Sequence, residues 1–218
     1  MLSNRANVAA SALLVVMACA AARVLSEVPF DMPLAIHFDA AGNPNRWAPA
    51  WLGVSLIPLV ALVILALAAF LPEADPRGAN LRRSRSAVQT IFLAVLALLV
   101  VVQMVVATQA LHIPLHIGRV MATGVGLLFV VGGNVMGKLR WNYTLGIRTP
   151  WTIANERVWD HTHRFAGKVF VAVGALMAIA VWWMPAQGHE EALIITGTAI
   201  VTALPILRSY QLWKEQQA

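Results

Sequence analysis

Six long stretches without a charged residue constrain this chain more than any other feature. They run over 6–22, 47–72, 86–118, 120–137, 169–189 and 192–207. Crossing ~30 Å of hydrocarbon takes roughly 17–25 helical residues. Five runs reach that length, and 192–207 can borrow from its flanks. Lipid offers a bare backbone no hydrogen bonds, so helices are the open-ended solution. The sequence therefore predicts an all-α membrane protein, a bundle of six transmembrane helices at about 6–25, 50–71, 88–110, 118–136, 168–184 and 191–208. Only 12% of residues are charged and 59% are hydrophobic, whereas about a quarter of a soluble domain is charged.

Lysine and arginine set the orientation. Six spans put both termini on one side. Thirteen of the 16 basic residues fall there, in the termini and the loops 73–87 and 137–168, leaving Arg23, Arg46 and Arg119 opposite. Acidic residues divide five and five, so the bias is cationic. Both termini are expected in the cytoplasm. The net charge of +6 then reads as topology and contact with anionic headgroups, with no direct nucleic-acid binding. Trp47, Trp51, Trp182 and Trp183 at the outer ends of spans, and Trp141, Trp151, Trp159 and Trp213 inside, read as interfacial belts.

The first span resembles a signal peptide, with Arg5 before an apolar core and small residues at 18–22. Removing it would place the basic loops across from the new terminus, so a retained helix is the preferred reading. Cys19 is the sole cysteine, which excludes an intrachain disulfide and a Cys-based metal site.

The chain reads as one membrane domain, 1–218, without internal repeats. Its outer loop, 26–48, carries Pro29, Pro33, Pro44 and Gly42-Asn43, signals of an ordered, turn-rich loop rather than a helix. The inner loop, 137–168, is longer and more crowded with polar side chains than a plain connection needs. It is where a partner is expected to dock. From Asn155, a plausible N-cap, the positions Val158, Trp159, Thr162, Phe165, Ala166 and Val169 recur at helical spacing. This predicts an amphipathic inner-surface helix before the fifth span.

Within that loop Arg148, Glu156, Asp160 and Arg164 could lock together as an ion-pair network, with Glu156 facing Arg148. Alternatively Arg148 is displayed to an acidic partner. The outer histidines His37, His112, His116 and His189 could hold zinc, but Pro114 interrupts the one helical pair, and ordinary loop histidines are the preferred reading. No cofactor is implied. The spans lack an intramembrane carboxylate or lysine, which argues against transport and intramembrane proteolysis. Asn134 reads as an interhelical hydrogen-bonding residue.

The strings Gly133-Asn134, Met136-Gly137-Lys138, Arg140, Asn142-Tyr143, Gly146-Ile147-Arg148-Thr149-Pro150-Trp151-Thr152, Glu156, Val158-Trp159 and Thr162-His163-Arg164 resemble the SdpI family of bacterial membrane proteins. The outer residues Pro33, Ile36-His37-Phe38, Gly42 and Asn45-Arg46-Trp47 resemble a domain of uncharacterised function that often precedes that family's region. The chain departs from the family pattern at Val135, Trp141, Arg157 and Asp160-His161. The resemblance divides the chain into an N-terminal region, 10–72, and an SdpI-like region, 88–185. It implies a non-enzymatic protein of the bacterial inner membrane that confers immunity to a secreted, membrane-active peptide toxin. It also implies relay of the toxin's presence to a cytoplasmic transcriptional repressor. Lys138, Arg140, Asn142, Arg148, Trp151, Glu156, Trp159, His163 and Arg164 are then the partner-binding candidates, and His37, Phe38, Gly42 and Trp47 the outer-loop candidates. Two other readings stand beside it: an envelope-stress or lipid-interacting protein, and a metal-dependent enzyme using the outer histidines. Self-association is compatible with all three.

Overall fold

A computed structural model describes residues 3–38, 44–185 and 189–217. It contains α1 (Asn4–Leu25), β1 (Pro33–Phe38), β2 (Pro44–Pro49), α2 (Ala50–Ala74), α3 (Gly78–Arg83), α4 (Arg85–Ala110), α5 (Ile117–Met136), α6 (Pro150–Ala154), α7 (Glu156–Ala180) and α8 (His189–Glu215). Six of these, α1, α2, α4, α5, α7 and α8, are long and apolar enough to span a membrane. The six-helix bundle read from the uncharged runs is the fold.

The bundle has two halves. In the first, α1 and α2 pack against α4; in the second, α7 packs against α5 and α8; α4 meets α5 between them. Around Met17, Ala61 and Leu96 the first half is sealed by side chains that are fully buried. The second half is joined backbone to backbone. A Cβ on Gly133 would lie 2.8 Å from the Gly167 carbonyl oxygen, and one on Gly167 would lie 2.7 Å from that of Gly133. Gly126 meets Gly174 in the same way one heptad along, with 2.6 Å from its would-be Cβ to the Gly174 carbonyl. Small residues at such a seam let helices approach closely where lipid provides no hydrophobic drive.

Two features depart from the sequence reading. The turn-rich outer loop is a β-hairpin, with Leu34 opposite Ala48 and Ala35 opposite Trp47. Leu34 joins a cluster with Val24, Val28, Ala50 and Val54, and its partner Ala48 is buried, while Trp47 is exposed. Only six residues per strand, with prolines at the strand ends and an irregular register around His37, hide the period of two that would announce a strand. The inner segment from Asn155 is no separate surface helix either. It is the first half of α7, running without a break into the fifth span, because its apolar positions bury against α5 and the loop. Trp159, grouped with the interfacial belt by sequence, is fully buried there.

Candidate functional site

The termini, α3, the loop between α5 and α6, and the start of α7 share one end of the bundle, where side chains from distant parts of the chain meet. Asp75, just beyond α2, is nearly buried at 6% exposure. Its Oδ1 accepts from the Arg77 amide at 2.6 Å, and its Oδ2 accepts from the Tyr143 amide at 2.9 Å and from the Thr144 hydroxyl. Asn80 in α3 donates to the Trp141 carbonyl at 2.8 Å, and the Ser84 hydroxyl accepts from the Arg140 amide at 2.8 Å. The short loop after α2 is thus a bracket for the long loop after α5. A buried carboxylate surrounded by donors satisfies backbone groups that an irregular segment would otherwise leave orphaned.

The long loop also ties itself down. Fully buried Asn142 accepts through Oδ1 from the Thr144 and Leu145 amides at 2.8 and 2.7 Å, and donates to the Arg140 carbonyl at 2.8 Å. The Arg77 guanidinium lies 3.1 Å from the Trp141 ring centroid and 4.4 Å from that of Tyr143, a cation held on two aromatic faces. Trp159 donates from its indole to the Leu139 carbonyl at 2.8 Å, and Trp141 to the Thr152 carbonyl at 2.9 Å. Thr149 and Thr152 form a capping box that starts α6. Thr149 also meets Ser209 of α8 at 3.1 Å, and Trp151 packs on Tyr210 and Trp213. Asn155 caps α7 through the Arg157 and Val158 amides and donates to Gln216 at 2.7 Å.

His163, one turn into α7 from Trp159, is buried at 1% exposure and stacks on that indole with centroids 3.9 Å apart. Its Nδ1 lies 2.8 Å from the Trp159 carbonyl oxygen, and its Nε2 accepts from the Ile147 amide at 3.0 Å. These bonds specify the neutral imidazole protonated on Nδ1. Gly146 passes over the ring with φ of 113°, a conformation that favours glycine, and a Cβ there would collide with Nε2.

The partner-binding candidates therefore fall into two groups. Asn142, Trp159 and His163 are buried and build the loop; Trp151 is half-buried against α8. Lys138, Arg140, Arg148, Glu156 and Arg164 are exposed. The expected ion-pair network does not form. Arg148 donates to the Tyr143 carbonyl at 3.0 Å, and among the described residues the ion pairs are Arg23–Glu27 and Arg208–Glu215. Glu156 instead sits in the first turn of α7, where a negative charge complements the helix dipole. At the hairpin end, exposed His37 approaches Asn45 at 2.6 Å. Trp47 is exposed, Phe38 ends β1, and Gly42 lies outside the described residues. Among the described residues no three His, Cys, Asp or Glu side chains gather in a metal-binding group. Among the described residues Asn134 makes no interhelical hydrogen bond; it is exposed beside a groove between α5 and α7.

Sequence reasoning missed Asp75, Asn80 and Ser84, which fix the loop from α2 and α3. Their signal was faint: one carboxylate and two small polar residues in a loop dominated by arginine.

This is a polytopic helical membrane protein whose loop-bearing end is an ordered polar assembly. Residues 138–209 match the SdpI/YfhL protein family, and residues 12–62 match a domain of unknown function (DUF1648). The first match begins at the loop and takes in α6, α7 and most of α8. The chain is similar to the immunity protein SdpI of Bacillus subtilis (strain 168), with 33% identity over 122 residues. That alignment covers 55% of this chain and 57% of the relative, a little over half of each. No solved structure matches the chain.

Proposed function

We propose that this protein is a non-enzymatic immunity protein of the bacterial inner membrane that protects its host against a secreted, membrane-active peptide. The observation that carries this reading is the 33% identity to a protein named as an immunity protein. The ordered loop assembly supports it, because the matched segment from 138 onward supplies much of it, including the Ile147–His163 and Thr149–Ser209 contacts. The end carrying the termini and most of the lysine and arginine faces the cytoplasm in this reading. The hairpin, with Trp47 exposed, faces the peptide outside. Exposed Arg148 and Glu156 offer a cytoplasmic repressor a surface that can be altered without unfolding the loop.

The test is a killing assay in a host sensitive to such a peptide, following membrane potential with the wild type, Arg148→Ala and an empty vector. Protection by the wild type supports immunity, and loss of protection in Arg148→Ala at equal membrane levels ties the loop to it. A wild-type chain that inserts correctly and leaves the potential collapsing as fast as in the vector control refutes immunity to that peptide.

A further inference from the structure

We propose that the loop-bearing end holds an anionic glycerophospholipid, its phosphate in a cationic cleft and an acyl chain in the groove between α5 and α7. This goes beyond the immunity reading and does not depend on it.

The cleft, of about 390 Å³, opens between the start of α4, the loop after α5 and the first turns of α7. Arg83, Lys138, Arg140 and Arg164 line it, against the single carboxylate of Asp160. All four cations are exposed. None of their side chains has an ion-pair or hydrogen-bond partner among the described residues, unlike Arg77, Arg119 and Arg148, which are committed to rings or carbonyls. Four converging cations with no internal partner repel one another. An arrangement of this kind is stabilised by an anion with several acceptor oxygens, and arginine is suited to phosphate through its planar fork.

The second feature selects an amphiphile over a free anion. A groove of about 600 Å³ continues from the cleft, sharing Gly137 and Arg164 with it. It runs along the α5–α7 seam past Gly133 and Gly167 to Val171 and Ala172. Gly133, Gly137 and Gly167 contribute no side chains of their own to this groove. Both volumes fall in the range of ordinary small-molecule sites, roughly 300–1,000 Å³. A polar basin at the end of a spanning helix pair, continuous with an apolar furrow descending the spans, matches a phospholipid in length order: phosphate first, chain second. Arg164 stands at the junction, where the phosphate would sit, and Lys168 one turn further along α7.

The test uses the purified full-length chain in detergent, delipidated and offered equimolar phosphatidylglycerol and phosphatidylcholine, with bound lipid counted by native mass spectrometry. A cation near an anionic headgroup contributes about 1 kcal/mol, a factor of about five. The wild type is expected to retain phosphatidylglycerol by tenfold or more over phosphatidylcholine. Lys138→Gln/Arg140→Gln/Arg164→Gln should bring the ratio close to one. Arg5→Gln/Arg157→Gln/Lys214→Gln, which removes as much charge from the same end outside the cleft, should keep the preference. All six residues are exposed, and circular dichroism checks that both triple variants retain the helical fold. Equal retention of the two lipids by the wild type would overturn the proposal. So would an equal loss of preference in both triple variants, which would reduce it to diffuse charge. A third arm adds soluble glycerol 3-phosphate. Displacement of phosphatidylglycerol at equimolar glycerol 3-phosphate would show that the acyl chain contributes nothing, and the lipid assignment would fall; retention would support it.

Discussion

The Ile147 amide donates to Nε2 of His163 at 3.0 Å, so a side chain on α7 serves as the hydrogen-bond acceptor for the backbone of the loop that precedes it. The pairing makes the loop's path depend on one ring in one tautomer. It also explains why an exposed-looking polar string, Gly146 to Thr152, is held in place: the turn lies on the ring, and the ring lies on Trp159.

His163→Phe removes that hydrogen bond together with the one from Nδ1 to the Trp159 carbonyl. Phenylalanine keeps the stacking on Trp159 and roughly the volume, but leaves the Ile147 amide without an acceptor. An unsatisfied buried amide costs about 1–3 kcal/mol. A thermal-unfolding series in detergent should show a loss in that range. An unchanged midpoint would mean the amide finds another partner.

Gly146→Ala should be at least as damaging. It puts a side chain on a residue with φ of 113°, a strain of about 1–3 kcal/mol, and drives the new methyl group into His163. Limited proteolysis of membranes is the direct check, with cleavage expected between 140 and 155 in the variant and resistance in the wild type.

Asp75→Ala should loosen the same loop from the opposite side. It strips the acceptors from the Arg77 and Tyr143 amides and the Thr144 hydroxyl, and the expected cost is about 2–4 kcal/mol, from several partly solvated orphans. Asp75→Asn keeps one acceptor oxygen and should recover part of it. A midpoint for Asp75→Ala equal to that of the wild type would show that the acceptors at Asp75 do not matter.

Arg148 and Glu156 should be energetically independent. Each is exposed, and they form no ion pair. Arg148→Ala and Glu156→Gln are expected to change stability by no more than about 0.5 kcal/mol each, and the double variant by their sum. A coupling energy well above experimental error would revive the ion pair expected from sequence.

Gly133→Leu should prevent α5 and α7 from meeting, because the nearest atoms, the Phe170 Cβ and the Gly167 carbonyl oxygen, are fixed to the α7 backbone and cannot swing aside. Size-exclusion profiles of detergent extracts should lose the monodisperse peak. Gly132, with open space around it, provides the control: Gly132→Leu should elute like the wild type.

How much of this was written in the sequence varies with range. The six spans were legible because hydropathy is a local sum, and each uncharged run is long enough to decide itself. The Asn155 cap was legible too, since capping is settled within three residues. The pairing of Arg148 with Glu156 was inferred from charge alone and failed, because in the folded loop Arg148 turns to the Tyr143 carbonyl. The role of Asp75 was out of reach: it lies 68 residues from Tyr143, and nothing local to either residue announces the other. The family-like strings fell on the loop and the start of α7 without separating the residues that build them, such as Asn142 and His163, from exposed ones, such as Lys138 and Arg164. That separation needs burial, which depends on what α3 and α8 bring from elsewhere.

The contacts of Ser209, Tyr210, Trp213 and Gln216 with Thr149, Trp151 and Asn155 impose an order of events on synthesis. Some sixty residues separate the partners, and at about 5–20 residues per second the ribosome leaves the loop without these α8 partners for several seconds. Only when α8 has been threaded through the bilayer can its far end come round to brace α6. A ribosome stalled within α8 would leave a chain with five of its spans in place and the surface between Lys138 and Asn155 still unbraced. Completion of that surface therefore waits on the making and insertion of α8, so a braced loop reports that the sixth span is in place.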